Sequence, residues 1–314
     1  MSSLTRIAPR VQHSGEGSGD SGGSAPTVPA GAAPPHHYSD RVATQPPPDR
    51  AERVIPDPDR PGAWIVRIGV TDQSHIDPDR PTMLEFDYMQ RIAEAIDLWA
   101  PPGQRLRIVH VGGAGMSLAR YVAATRPTSA QIVLEPDTAL TDEVRAKAPL
   151  PRRSGIKVRP VDGRTGIAAM PEDYADIVIL DAFAGARVPA DLVTLEFLTD
   201  VRRVLAPGGL FVANVTDGPP LDWVRRTGAG IARRWPHVAV SAEPSTWRGR
   251  RFGNIELYAS DVPIPTADLG RAAARAVFAY RFLDDERMRD WCSGREPFTV
   301  VDTAPSPLPP QFFS

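Results

Sequence analysis

A chain of 314 residues, 42% apolar and 24% charged, holds enough material for one large domain or two small ones. Its formal net charge of −2 excludes a global field that would gather nucleic acid or an anionic membrane. The single cysteine, Cys292, excludes an internal disulfide and a thiolate metal cluster, and it fits a reducing compartment.

Residues 1–60 are rich in Ser, Gly, Pro and Ala and show no apolar period. Such a stretch buries too little surface to offset its ordering entropy, so it reads as a disordered low-complexity tail. It lacks the apolar core of a signal peptide, and no apolar run in the chain reaches the ~18 residues needed to span a bilayer. A cytoplasmic protein with neither membrane nor nucleic-acid partners is therefore expected.

Order begins near Gly62. The run AWIVRIGV alternates as a strand, and Phe86, Met89, Ile92, Ala93 and Ile96 recur at helical spacing. Residues 61–100 thus read as a small β-rich part with a linking helix. Five core strands follow: RIVHVG, QIVLE, IKVRPVDG, DIVILDAF and GLFVANV. Helical segments separate most of them, including Leu192–Leu205, and the strands are short continuous apolar runs. That pattern predicts an α/β domain over 101–290 with a doubly wound, mostly parallel Rossmann-like sheet covered on both faces. Beyond the core, a helix is predicted over Leu221–Trp235, and HVAVSAE and NIELYAS pair as an antiparallel edge. An alanine-rich helix is expected over Ala267–Phe282. Residues 291–314 read as a proline-rich tail, extended over Thr303–Pro310.

Ligands of such sheets sit at the carboxyl ends of the strands. Here the first strand ends in the turn Gly112-Gly113-Ala114-Gly115, where the backbone can approach a ligand closely. The second ends at Glu135 and Asp137, where a carboxylate can take ribose hydroxyls. The third ends at Asp162-Gly163 and the fourth at Asp181. Any one acid can be a helix cap, Asp137 above all. Leu118 stands where a dinucleotide fingerprint has its third glycine, so the turn suits a nucleoside with an amine or amino-acid tail. His110, inside the first strand, reads as a core residue. His75 can be a core residue or reach an acceptor. Trp247–Arg251 reads as a solvated basic loop.

With these features in place, the chain resembles the spermidine synthase family of polyamine aminopropyltransferases, which share the class I methyltransferase fold. The similarity runs from about Trp64 to Ser260. It includes Gln73-Ser74, Glu85-Phe86-Asp87-Tyr88, Tyr174, Pro189 and Phe197 as well as the strand ends. The resemblance implies that Glu135 binds ribose, Asp162 the adenine amino group, and Gln73 the region of the thioether. It makes Asp181 the catalytic acid residue, with Tyr88 and Tyr174 shaping the acceptor site. The co-substrate is then decarboxylated S-adenosylmethionine or S-adenosylmethionine itself, without a metal, and a homodimer is expected by resemblance.

The chain departs from the family where a second acid usually follows the catalytic one: the loop reads Asp181-Ala182-Phe183-Ala184, with Ala184 in that place. Unless Asp72, Asp87 or Glu196 substitutes, the acceptor pocket suits a diamine poorly. Three readings stay open at this level: aminopropyl transfer to an amine, methyl transfer from S-adenosylmethionine, and a non-catalytic nucleoside-binding scaffold. An intact donor carboxylate needs a cationic or N–H partner, for which His110, Arg120 and Arg107 are the candidates.

Overall fold

Of the 314 residues, the computed structural model describes 52–69, 71–276 and 279–310. The low-complexity reading of residues 1–51 lies outside these. An antiparallel three-stranded sheet comes first: β1 (Val54–Pro56), β2 (Trp64–Ile68) and β3 (Thr71–Ile76), in that order. β1 falls inside the stretch expected to be disordered to residue 60. Its Val54 is buried, and its register pairs Val54 with Val66. Cross-strand pairing and the ion pairs of Arg53 order a segment whose composition alone does not call for a strand.

α1 (Asp87–Trp99) then leads into the main sheet. The α/β order is β4 (Arg107–Val111), α2 (Ser117–Thr125), β5 (Ala130–Leu134), α3 (Thr138–Lys147), β6 (Ile156–Arg159), α4 (Gly163–Ala168), β7 (Ala175–Leu180), α5 (Leu195–Val204) and β8 (Leu205–Asp217). α6 (Asp222–Arg234), β9 (His237–Ala242), the short α7 (Pro244–Trp247), β10 (Gly253–Ser260), α8 (Thr266–Ala273), β11 (Arg281–Leu283) and α9 (Asp285–Cys292) complete it. Strand order is β11-β9-β10-β8-β7-β4-β5-β6. β8, β7, β4, β5 and β6 run parallel to one another, and β10, β9 and β11 extend the sheet antiparallel beyond β8.

The period of two sorts the central strands into two apolar layers. Ile108, Ile177, Ile179 and Val212 pack on one face with Met89, Ile92 and Ile96 of α1. Val109, Val111, Val178, Leu180 and Phe211 pack on the other with Phe197 and Val201 of α5 and Val224 and Ile231 of α6. This is the doubly wound architecture expected from the sequence.

Two expectations at the C-terminal end differ from the structure. The helix read over Ala267–Phe282 ends at Ala273, and the chain returns as the edge strand β11, whose Phe282 pairs with Ser241. The aromatic ring of Phe282 packs on Tyr258, at 5.8 Å, and that burial overrides alanine's helical preference. β9 is therefore interior, with the edge at β11. The C-terminal segment is extended, as read, but it is packed onto the domain. Phe298 and Ser306 are buried, Ser306 Oγ accepts from Val188 N at 2.9 Å, and Trp223 Nε1 donates to Ala304 O at 2.8 Å. Among the described residues no helix is long and apolar enough to cross a membrane.

Candidate active site

The chain reverses its direction of travel across the sheet at β4 and β7, which are neighbours. A crevice opens outside their carboxyl ends. Here it is a cavity of about 370 Å³ lined by Gln73, Tyr88, Gly112, Gly113, Glu135, Asp137, Asp162, Gly163 and Asp181, all singled out from the sequence.

The glycine turn is shaped by contact. Gly112 has φ +91°, and a Cβ there would stand 2.2 Å from Asp181 O, so the two strand ends touch. Gly115 does not line the cavity. A Cβ on it would meet Ser74 Oγ at 2.6 Å, which makes it a packing glycine where the turn meets β3. Gly163 likewise faces Val111, 2.3 Å from where its Cβ would be, although it also borders the cavity.

Glu135 follows β5 and turns back on the glycine turn. Its Oε2 accepts from Gly113 N at 3.0 Å and Ala114 N at 3.2 Å, and its Oε1 from Asp137 N at 2.9 Å. Asp137 and Asp162 both cap helices, accepting from Leu140 N and Thr165 N at 2.8 Å each, and both still face the cavity. The Arg53 guanidinium bonded to Asp137 holds that carboxyl below its ordinary range, and the Thr165 N–H does the same for Asp162.

Asp181 follows β7. Its Oδ1 accepts from Asn214 Nδ2 at 2.9 Å and its Oδ2 from the Tyr88 hydroxyl at 3.4 Å. Burial pushes its carboxyl up to about 6, against the lowering effect of those two bonds. Tyr88 is delivered by the first turn of α1, and burial beside Asp181 drives its hydroxyl well above the ordinary value.

Tyr174 is not in this group. It precedes β7 at the opposite end of the sheet, beside Asp173, whose carbonyl accepts from Arg107 at 3.2 Å, and it packs on the apolar layer. A residue before a parallel strand lies a strand's length from the residue after it, so the expected acceptor role is corrected. His75 bonds Asp57 at 2.9 Å and does not line the cavity. His110 does line it. It bonds Gln131 at 2.9 Å, and burial lowers it to about 4, so the ring is neutral at pH 7. Arg120 is turned to the carbonyls of Gly115, Pro149 and Ala148, and Arg107 pairs with Asp176 at 2.7 Å. In the basic loop, Trp247 packs edge-on to Trp291 and Arg251 pairs with Glu243 at 3.5 Å, outside the cavity.

Sequence reading missed the polar row beside Asp181. Asn214 on β8 pairs in register with Glu256 on β10, and Glu256 with Ser241 on β9. All three are buried, and Ser241 Oγ donates to Glu256 Oε2 at 2.8 Å. Arg91 of α1 is buried too, paired with Glu94 at 2.8 Å. Asn214 Oδ1, Glu256 Oε1 and Arg91 Nε and Nη1 have no hydrogen-bond partner among the described residues. Burial pushes Glu256 up to about 8, which keeps it largely protonated at neutral pH. The available signal was a polar residue inside each apolar run, Asn214 in LFVANV and Glu256 in NIELYAS.

No family model matches the chain. A solved structure from Corynebacterium glutamicum, described as a probable spermidine synthase, is 32% identical with a TM-score of 0.74. The match covers 78% of this chain and 91% of that one. Among curated proteins, a polyamine aminopropyltransferase of Chromobacterium violaceum is 26% identical over 149 residues, 47% of this chain. Another of Vibrio vulnificus is 29% identical over 119 residues, 37% of this chain. These matches span 56% and 39% of the curated relatives' own lengths. On its fold and the extent of the Corynebacterium match, the chain belongs to the spermidine synthase family, built on the class I methyltransferase fold.

Proposed function

We propose that the protein transfers an aminopropyl group from decarboxylated S-adenosylmethionine to an amine. The charge of the cavity carries this reading. Five carboxylates line it, on Glu135, Asp137, Asp162, Asp181 and Asp191, of which Asp137 is paired with Arg53, and no arginine or lysine lines it among the described residues. S-adenosylmethionine brings a carboxylate that would face these acids without a partner. The three candidates for one are committed: His110 is neutral and bonded to Gln131, Arg120 is turned to carbonyls, and Arg107 is at the far end of β4. The turn N–H groups of Gly113 and Ala114 already donate to Glu135. The decarboxylated donor lacks that carboxylate, and its cationic tail meets Asp181 as an opposite charge.

In this reading Glu135 takes the ribose hydroxyls. Asp162 takes the adenine amino group, and Gln73 lies over the sulfur. Asp181 orients the attacking nitrogen and receives the proton the nitrogen loses, with Asn214 and Tyr88 holding the carboxylate in place. The amine forms a bond to the propyl carbon as the carbon–sulfur bond breaks, and the electron pair stays on sulfur as a neutral thioether.

Calorimetric titration with the decarboxylated donor, S-adenosylmethionine and methylthioadenosine tests the reading. Binding of the decarboxylated donor at least about tenfold tighter than the intact one is expected. Tighter binding of S-adenosylmethionine would move the assignment to methyl transfer, and binding of none to a scaffold.

A further inference from the structure

The acids of the cavity are unevenly placed. Neighbouring strands lie about 4.8 Å apart, so their carboxyl ends form a row. Asp162 follows β6, Glu135 and Asp137 follow β5, and Asp181 follows β7, two strands from Glu135 and thus roughly 10 Å along the row. Asp191 belongs to the Asp162 end: the next residue, Leu192, packs against Gly163. Asp181 is therefore the one carboxylate lining the β7 end among the described residues.

Beyond the Tyr88 hydroxyl and Asn214 amide that bond Asp181, much of the wall is apolar and none of it carries a second carboxylate. Ile68, Met89, Ile179, Phe183 and Ala184 line the same cavity. The other acids the sequence offers for this end do not line the cavity, Asp87 at the start of α1 included. Asp72 is held by Arg67, and Glu196 accepts from Val300 N at 3.2 Å. Asp217 at the end of β8 accepts from Gly218 and Val224 N at the start of α6. Glu256 is sealed within the sheet face and does not line the cavity.

We infer that the acceptor is a monoamine, a primary amine with one basic nitrogen on an apolar carbon body, held by Asp181 against these apolar walls. The inference rests on the aminopropyl-transfer reading above. The donor already brings a sulfonium and a primary ammonium to an end with one carboxylate. A monoamine attacks as the free base and adds no charge at that moment. Its lone pair forms the nitrogen–carbon bond, the carbon–sulfur bond breaks with its pair left on sulfur, and the released proton passes to Asp181. A diamine adds a second ammonium among apolar side chains, and an unpaired charge there is costly. The walls instead reward hydrocarbon, by about fourfold in kcat/KM per buried methylene.

The test is kcat/KM with the decarboxylated donor for butylamine and hexylamine against putrescine and hexamethylenediamine, with donor binding measured on the same samples. Each monoamine should exceed the diamine of equal length about tenfold or more, and hexylamine should exceed butylamine. Ala184→Asp, which places a carboxylate at this end, should raise the diamine-to-monoamine ratio about tenfold. Equal or better use of the diamines, or a ratio unmoved by Ala184→Asp, overturns the acceptor assignment while donor binding and turnover keep the transfer reading. Failure of the donor to bind, or bound donor with no turnover of any amine, overturns both.

Discussion

Asp181 combines burial, two hydrogen bonds and a place at the crevice, and its carboxyl titrates near neutrality. In its proposed role as proton acceptor it must be ionised, so kcat/KM should rise with pH through about 6. Asp181→Asn should cost about a hundredfold or more and abolish that acid limb, as read from a pH–rate profile. Unchanged turnover in the variant would remove Asp181 from the chemistry. Glu256 acts through stability instead. It faces Ser241 on β9, Tyr258 on its own strand, and Arg91 and Tyr280 across the face, with the charge of Glu243 also felt. Between its ordinary value of 4.5 and about 8, the folded chain keeps a proton on Glu256 that the unfolded chain has released. Stability therefore falls as pH rises through that window. Glu256→Gln should remove its share of the fall, a few kcal/mol between pH 5 and 8, in urea melts. Parallel stability curves for variant and parent would show that Glu256 does not carry the proton.

At the scale of elements, the crevice is bounded by pieces from distant parts of the chain. The loop after β7 is held from the C-terminal segment by the Ser306 bond to Val188 N and by Arg187 donating to the carbonyls of Pro305 and Ser306. Ser306→Ala leaves the buried Val188 N without a side-chain acceptor and should destabilise the protein by about 1–3 kcal/mol, measured by denaturant unfolding. A loss under a few tenths would show that the segment is not holding the loop. This contact was not legible in TAPSPLPP, because proline-rich composition speaks to backbone extension and not to what the extended chain lies on. The core strands and α1 were legible, since a strand buried on both faces must be continuously apolar and a helix on a sheet must carry an apolar stripe. β1 and β11 were not, because three-residue strands borrow their stability from the partner strand rather than from their own pattern.

Across the whole molecule, the sequence by itself determined the α/β architecture, the glycine turn and the carboxylates that end successive strands. These follow from local rules of periodicity and turn chemistry, together with the general placement of ligands at strand ends. Tertiary structure alone decided which of those residues share a space. It put Tyr88 of α1 against Asp181, turned Gly115 into a packing contact, and left Tyr174 at the opposite end of the sheet. It also joined Asn214 to Asp181 across neighbouring strands and turned Arg107 and Arg120 away from the cavity. Those outcomes depend on strand order and side-chain direction, which long-range pairing sets and no local pattern encodes.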